Sequence, residues 1–132
     1  MVKAARLEAR GKAPALRKLA GDGEVTSRHV TQAARQGDSG AIALLAGEAR
    51  WLGVGIVNLL HLYSPERVII GGGLGACLDL MQAGIDRIIQ SRAMSAYRDV
   101  PVVAAELGRE AGLVGAASLV FPQYKETGAR RS

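Results

Sequence analysis

Between Asp38 and Tyr63 apolar residues return at every third or fourth position: Ala41, Leu45, Ala49, Leu52, Ile56, Leu59 and Tyr63. That spacing predicts one long helix with a continuous apolar stripe. In its first half the opposite face is polar, with Glu48 and Arg50. Its second half adds Val54, Val57 and Leu60, so this end is expected to be buried all round. Gly53 and Gly55 sit inside the pattern. Each costs about 1 kcal/mol of helix propensity against Ala, which points to close packing there. Asn58 and His61 stand among apolar neighbours and need hydrogen-bond partners if buried. Asp38 suits the N-cap. Gly37 before it ends a shorter helix that Thr26 or Ser27 caps. Ser64-Pro65 closes the long helix, because the residue before proline disfavours the α region.

The pattern changes at Val68-Ile69-Ile70, a short β-branched run that reads as a buried strand. Gly71-Gly72-Gly73 follows, and a helical pattern resumes with Leu78, Met81, Ile85, Ile88 and Ile89, to about Ser91. Asp79, Gln82, Asp86, Arg87 and Gln90 take its outer face. Ala93 and Met94 are possible packing contacts in the polar connection after it. Val100 to Ala105 reads as a second strand, with Pro101 at its start. Strand, helix and strand make a βαβ unit with parallel pairing. Ala111 to Phe121 is a helix unusually rich in small residues, which implies close packing against a neighbour. Upstream, Met1 to Arg10 is compatible with a loose helix, and Pro14 suits the first turn of a short helix to Leu19. The expected organisation is therefore α/β and helix-rich around one short parallel βαβ unit. It divides into a helical or loop segment at 1–24, a lobe at 25–121 and a mobile basic tail at 122–132.

Composition narrows this picture. A chain of 132 residues with 48% hydrophobic positions is long enough for one real core. Only 4% are aromatic, so that core must be built from Ala, Leu, Val and Ile. The net charge of +5 gathers at the two ends, with no aromatics interleaved for base stacking. Nucleic acid is not an expected partner of this chain. The single cysteine, Cys77, excludes an internal disulfide and a Cys-based zinc cluster, and reads as a small buried residue near a helix start. His29 has no ligand-spaced companion and reads as a surface residue. The charged N-terminus has no apolar leader, and the most apolar run, Trp51 to Tyr63, is too short to span a bilayer. No membrane role and a cytoplasmic location are expected.

The candidate chemistry lies at the glycines. A strand, a glycine turn and a helix present backbone N–H groups to a phosphate or ribose. Gly71, Gly72, Gly73 and Leu74 are the expected nucleotide contacts. The alternative is a tight turn that binds nothing. Gly71, Gly73 and Ala76 fit G-x-G-x-x-A, but a dinucleotide fold wants an acid about 20 residues on, and Glu106 stands well beyond that. No Lys-Ser or Lys-Thr pair follows the glycines, which excludes a P-loop. Glu106 and Glu110 straddle a glycine and suit cap and surface roles. No catalytic residue and no metal ligand are assigned.

Four segments in register then carry a resemblance. Gly37-Asp38 opens the long helix, and Leu52-Gly53-Val54-Gly55-Ile56-Val57-Asn58-Leu59-Leu60 lies inside it. Ser64-Pro65-Glu66-Arg67-Val68-Ile69-Ile70-Gly71-Gly72-Gly73 follows, and Leu107-Gly108 with Ala111-Gly112-Leu113-Val114-Gly115-Ala116-Ala117 completes the set. Over roughly Val25 to Phe121 the chain resembles the C-terminal part of the ROK family, bacterial sugar kinases such as glucokinase and related sugar-responsive repressors. The resemblance implies a portion of an actin-like, ribonuclease-H-like ATPase fold. It implies ATP, with Mg in an intact member, and a nucleotide contact at Gly71-Gly72-Gly73. It also implies that a sugar would be bound only with an N-terminal part. The family's Asp-x-Gly-x-Thr phosphate loop, its Gly-His-Asp segment with the catalytic Asp, and its His and Cys zinc cluster are absent here. The chain is therefore expected to be inactive alone and to form a homo-oligomer through faces the lost lobe would cover. The alternative is the effector and dimerisation part of a sugar-responsive repressor.

Overall fold

A computed structural model describes residues 13–21 and 23–119. The expected Met1 to Arg10 helix and the basic tail lie outside the described residues. Helix α1 (Pro14–Ala20) is followed by α2 (Ser27–Arg35) and the long α3 (Ser39–Tyr63). Strand β1 (Val68–Ile70), a helical turn α4 (Gly72–Gly75) and α5 (Leu78–Arg92) come next. Strand β2 (Val102–Ala104) and α6 (Ala111–Ser118) complete the order, with single 3-10 turns at Ser95–Tyr97 and Gly108–Glu110. The strands pair in parallel, Val68 with Val102, Ile69 with Val103 and Ile70 with Ala104. The expected βαβ unit is present.

Local chemistry sets the helix ends. Thr26 caps α2 by accepting the His29 N–H, while the Thr26 N–H donates to His29 Nδ1. His29 thus takes the place a Glu or Gln usually holds in a capping box. Gly37, at φ +83°, closes α2. Its N–H donates to the Ala34 carbonyl and the Asp38 N–H to that of Ala33, the paired bonds of a Schellman end. Asp38 then caps α3 through the Ala41 N–H, at 2.9 Å. Ser64 ends α3 in the left-handed region, with its hydroxyl 2.7 Å from that of Tyr97.

The core lies where α3, α5 and α2 meet. Leu45, Ala49, Ile56 and Leu60 of α3 are buried with Met81, Ile85 and Ile89 of α5 and Val30 and Ala33 of α2. Leu16 of α1 joins them. Two glycines let α3 and α5 approach closely. A Cβ on Gly53 would stand 2.8 Å from the Ile88 Cβ, and one on Gly84 would stand 2.8 Å from the Ala49 Cβ. Gly53 therefore fits the close-packing expectation, whereas Gly55 faces open space.

Burial of α3 differs from the sequence pattern. Its second half is not enclosed: Trp51, Leu59, Leu62 and Tyr63 are exposed, and Gly53, Val57 and Leu60 point inward instead. Among the described residues only one side of α3 meets packed helices, so apolar residues on its far side stay exposed. Asn58 and His61 are exposed too, and His61 Nε2 accepts the Met94 N–H at 3.1 Å. Met94 is exposed while Ala93 is buried. Among the described residues the small residues of α6 meet no close neighbour: a Cβ on Gly112 or Gly115 would find none of them within 4 Å. At 25 residues α3 is long and apolar enough, by length and composition, to cross a bilayer. The run counted from sequence was shorter. The buried stripe against α5 and α2 is that of a core helix.

Candidate functional site

The site grows from the end of β1. Gly71 continues the extended strand, and Gly72 turns at φ +63°, a conformation that glycine adopts without strain. The Gly75 N–H returns to the Gly71 carbonyl at 3.3 Å, closing the turn. Gly75 has to be glycine because a Cβ there would come within 2.5 Å of the Ile70 carbonyl oxygen. Cys77 is buried, and its thiol donates to the carbonyls of Gly73 and Leu74, at 3.6 and 3.5 Å. The cysteine is a structural prop beneath the turn. Gly71, Gly72, Gly73 and Leu74 all lie exposed along its outer side.

A hollow opens on each side of this turn. One, of about 130 Å³, is lined by Ile70, Gly71, Gly72, Gly75, Ala76, Ala105 and Gly108. The other, of about 310 Å³, lies between the turn and α2. Ser27, Arg28, Thr31, Gln32 and Arg35 form its helical wall, and Gly73 and Ala76 the opposite one. Pockets that enclose small ligands start at about 300 Å³. The larger hollow therefore has room for a planar base or a sugar ring, and the smaller does not.

Two arginines, Arg28 and Arg35, line the larger hollow. Arg35 also ties the two walls together. Its guanidinium donates to Asp79 at 3.1 Å and to the Ala76 carbonyl at 3.4 Å. Both members of the Arg35–Asp79 pair are exposed, so its worth is at most about 1 kcal/mol. Its effect is positional: it holds α2 against the start of α5. A planar guanidinium can stack on a base or pair with a phosphate. The spacing of polar residues on α2 gave no sign of this, because the wall forms only when α2 folds back toward residues some 40 positions later.

Asp38 supports this arrangement from below. One carboxylate oxygen caps α3 and the other accepts the Ala15 N–H at 2.8 Å and the Leu16 N–H at 3.4 Å. One side chain therefore caps α3 and α1 together. Burial pushes its pKa up, but N–H groups of Ala41, Ala15, Leu16 and Gly40 outweigh this and leave it below its ordinary value. Among the described residues no three His, Cys, Asp or Glu side chains gather as a metal site.

Comparison with known proteins places these features in a context. The family model described as the ROK family matches residues 7–123. A glucokinase of Streptomyces coelicolor is 39% identical over 104 residues, covering 75% of this chain and 33% of the relative. The DNA-binding transcriptional dual regulator NagC of Escherichia coli is 30% identical over 98 residues, 74% of this chain and 24% of the regulator. The crystal structure of a ROK family glucokinase from Streptomyces griseus, in complex with glucose and AMPPNP, superposes with a TM-score of 0.77 at 33% identity. That match covers 89% of this chain and 40% of the other. The chain thus spans about a third of the length of the Streptomyces coelicolor relative.

Proposed function

The chain belongs to the ROK family, and on that footing we propose that it supplies part of the nucleotide-binding wall of an ATP-dependent sugar kinase of the glucose type, acting in the cytoplasm. Its fold is a portion of the actin-like ATPase fold of ROK sugar kinases. The observation that carries the proposal is the 310 Å³ hollow between Gly73 and the two arginines of α2. In this reading Gly71 to Leu74 contact the nucleotide along the turn. Arg28 and Arg35 face its base or phosphates. ATP would be the nucleotide, as the ATP analogue in the related glucokinase structure suggests.

Phosphoryl transfer needs positioned phosphates, a metal and a base that orients the acceptor hydroxyl. The described residues hold no clustered metal ligands, and no catalytic Asp is assigned in this chain. The proposed role is therefore to bind and orient the nucleotide. Mg and the sugar would be held by residues outside this chain.

Calorimetric titration of the purified chain with a non-hydrolysable ATP analogue tests the reading. Weak saturable binding is expected. Gly73→Val should abolish it, because Gly73 lines the hollow and the added bulk narrows it, a Cβ there having no described contact within 4 Å to oppose it. Arg35→Ala should weaken it severalfold. Absence of heat at millimolar nucleotide, or binding that ignores both substitutions, would sink the assignment.

The match to NagC favours one second reading, the effector and dimerisation part of a sugar-responsive repressor. The coding sequence upstream separates the two: a phosphate loop marks a kinase, and a winged helix marks a repressor.

A further inference from the structure

Arg35 reaches across the larger hollow from the last turn of α2. Its bonds to the Ala76 carbonyl and to Asp79 are, among the described residues, the hydrogen bonds that join α2 to the glycine turn and to the start of α5. Both leave from one nitrogen, Nη2. The hydrogens of that nitrogen lie in the guanidinium plane, so the two acceptors fix the orientation of the plane as well as its position. The N–H donors on Nε and Nη1 have no partner among the described residues. The group is thus anchored at one corner and keeps its other donors for something else.

Asp79 is the stronger of the two anchors. It stands 3.1 Å from Nη2, against 3.4 Å for the Ala76 carbonyl, and its bond is assisted by charge on both sides. Its place in the first turn of α5 is one that favours a carboxylate, because the helix end carries partial positive charge. No other described group donates to it. The Arg35 side chain is 50% exposed, so without this anchor it would be free to sample many rotamers in solvent. We infer that Asp79 is a positioning residue of the nucleotide site: it holds the Arg35 guanidinium in one orientation, with the Nε and Nη1 donors left for acceptor atoms of the nucleotide. Asp79 is not among the residues that line the hollow, so it acts through Arg35 and not by touching the ligand. The role rests on the nucleotide reading given above.

Charge alone makes the opposite forecast. A carboxylate near a polyanionic nucleotide repels it, so deleting Asp79 would tighten binding if only the field mattered. Loss of a fixed donor geometry weakens binding instead, since the ligand must then order the arginine as it arrives. The sign of the effect separates the two. A second distinction is coupling. A residue that acts through Arg35 has nothing to act on once Arg35 is gone, so the two substitutions should not add.

Calorimetric titration of the full chain with a non-hydrolysable ATP analogue, in a double-mutant cycle, tests this. Both side chains are exposed, so circular dichroism should report an intact fold in every variant. Asp79→Ala should weaken binding about threefold or more. In the Arg35→Ala chain the same substitution should change affinity by less than about twofold. Asp79→Asn keeps an acceptor oxygen and should hold affinity near that of the wild type. Without any nucleotide, relaxation of the Arg35 Nε–H in NMR should show an ordered side chain in the wild type and a mobile one in Asp79→Ala. Binding that Asp79→Ala tightens or leaves unchanged, or an equal loss with and without Arg35, overturns the positioning role and leaves the nucleotide reading standing. An Arg35 side chain as mobile in the wild type as in Asp79→Ala overturns it too. Absence of nucleotide binding in the wild type removes the nucleotide reading, and this role with it.

Discussion

At Asp38 a single carboxylate closes two helices, and its stability effect should exceed that of an ordinary cap. One N-cap is worth about 1 kcal/mol. Removing this group also strands the N–H groups of Ala15 and Leu16, so Asp38→Ala should cost about 2 to 3 kcal/mol. Chemical denaturation measures this, and a loss under about 1 kcal/mol would show that α1 finds another cap. The folded pKa is depressed, so the stabilisation is complete above the ordinary carboxylate range and is lost as pH falls through the folded value. The wild type should therefore lose stability in acid by a component that Asp38→Ala lacks. The α3 cap was legible from Asp38 following Gly37, because capping of the next helix is local. The cap on α1 was not, because it joins residues 22 and 23 positions apart.

Among the elements, α3 shows how far a repeat pattern reaches. Its helical period was unmistakable in the spacing, and so was its stop at Ser64-Pro65. Which glycine would be packed was not legible, since Gly53 and Gly55 look alike in sequence. The fold separates them. Gly53→Ala gains helix propensity but drives a methyl into Ile88, and overpacking costs about 1 to 3 kcal/mol. Gly55→Ala meets open space and should stabilise by about 1 kcal/mol. Thermal melts of the two variants should move in opposite directions. Equal shifts would mean that the α3–α5 contact is looser than described. At the turn, Gly75→Ala should destabilise the protein and disturb Gly71 to Leu74, because a Cβ collides with the backbone of Ile70, which has no means of giving way. The chemical shifts of those amides in a heteronuclear NMR spectrum would report it.

For the whole molecule, the expectation concerns what the chain does alone. Given ATP, Mg and glucose, the pure 132-residue chain should form no sugar phosphate in a coupled assay, and measurable turnover would refute the division of labour proposed above. The α/β class, the order of elements, the parallel strand pair and the glycine turn were all determined by the sequence. Each depends on local periodicity, on caps and breakers, or on a short connection that leaves one topology. The tertiary structure alone decided that Arg28 and Arg35 face Gly73, that Asp38 also caps α1, and that Trp51 and Leu62 stand uncovered. Such facts depend on which surfaces meet after helices fold back on one another. An apolar residue announces that it prefers burial, but its own sequence neighbourhood cannot say whether anything arrives to bury it.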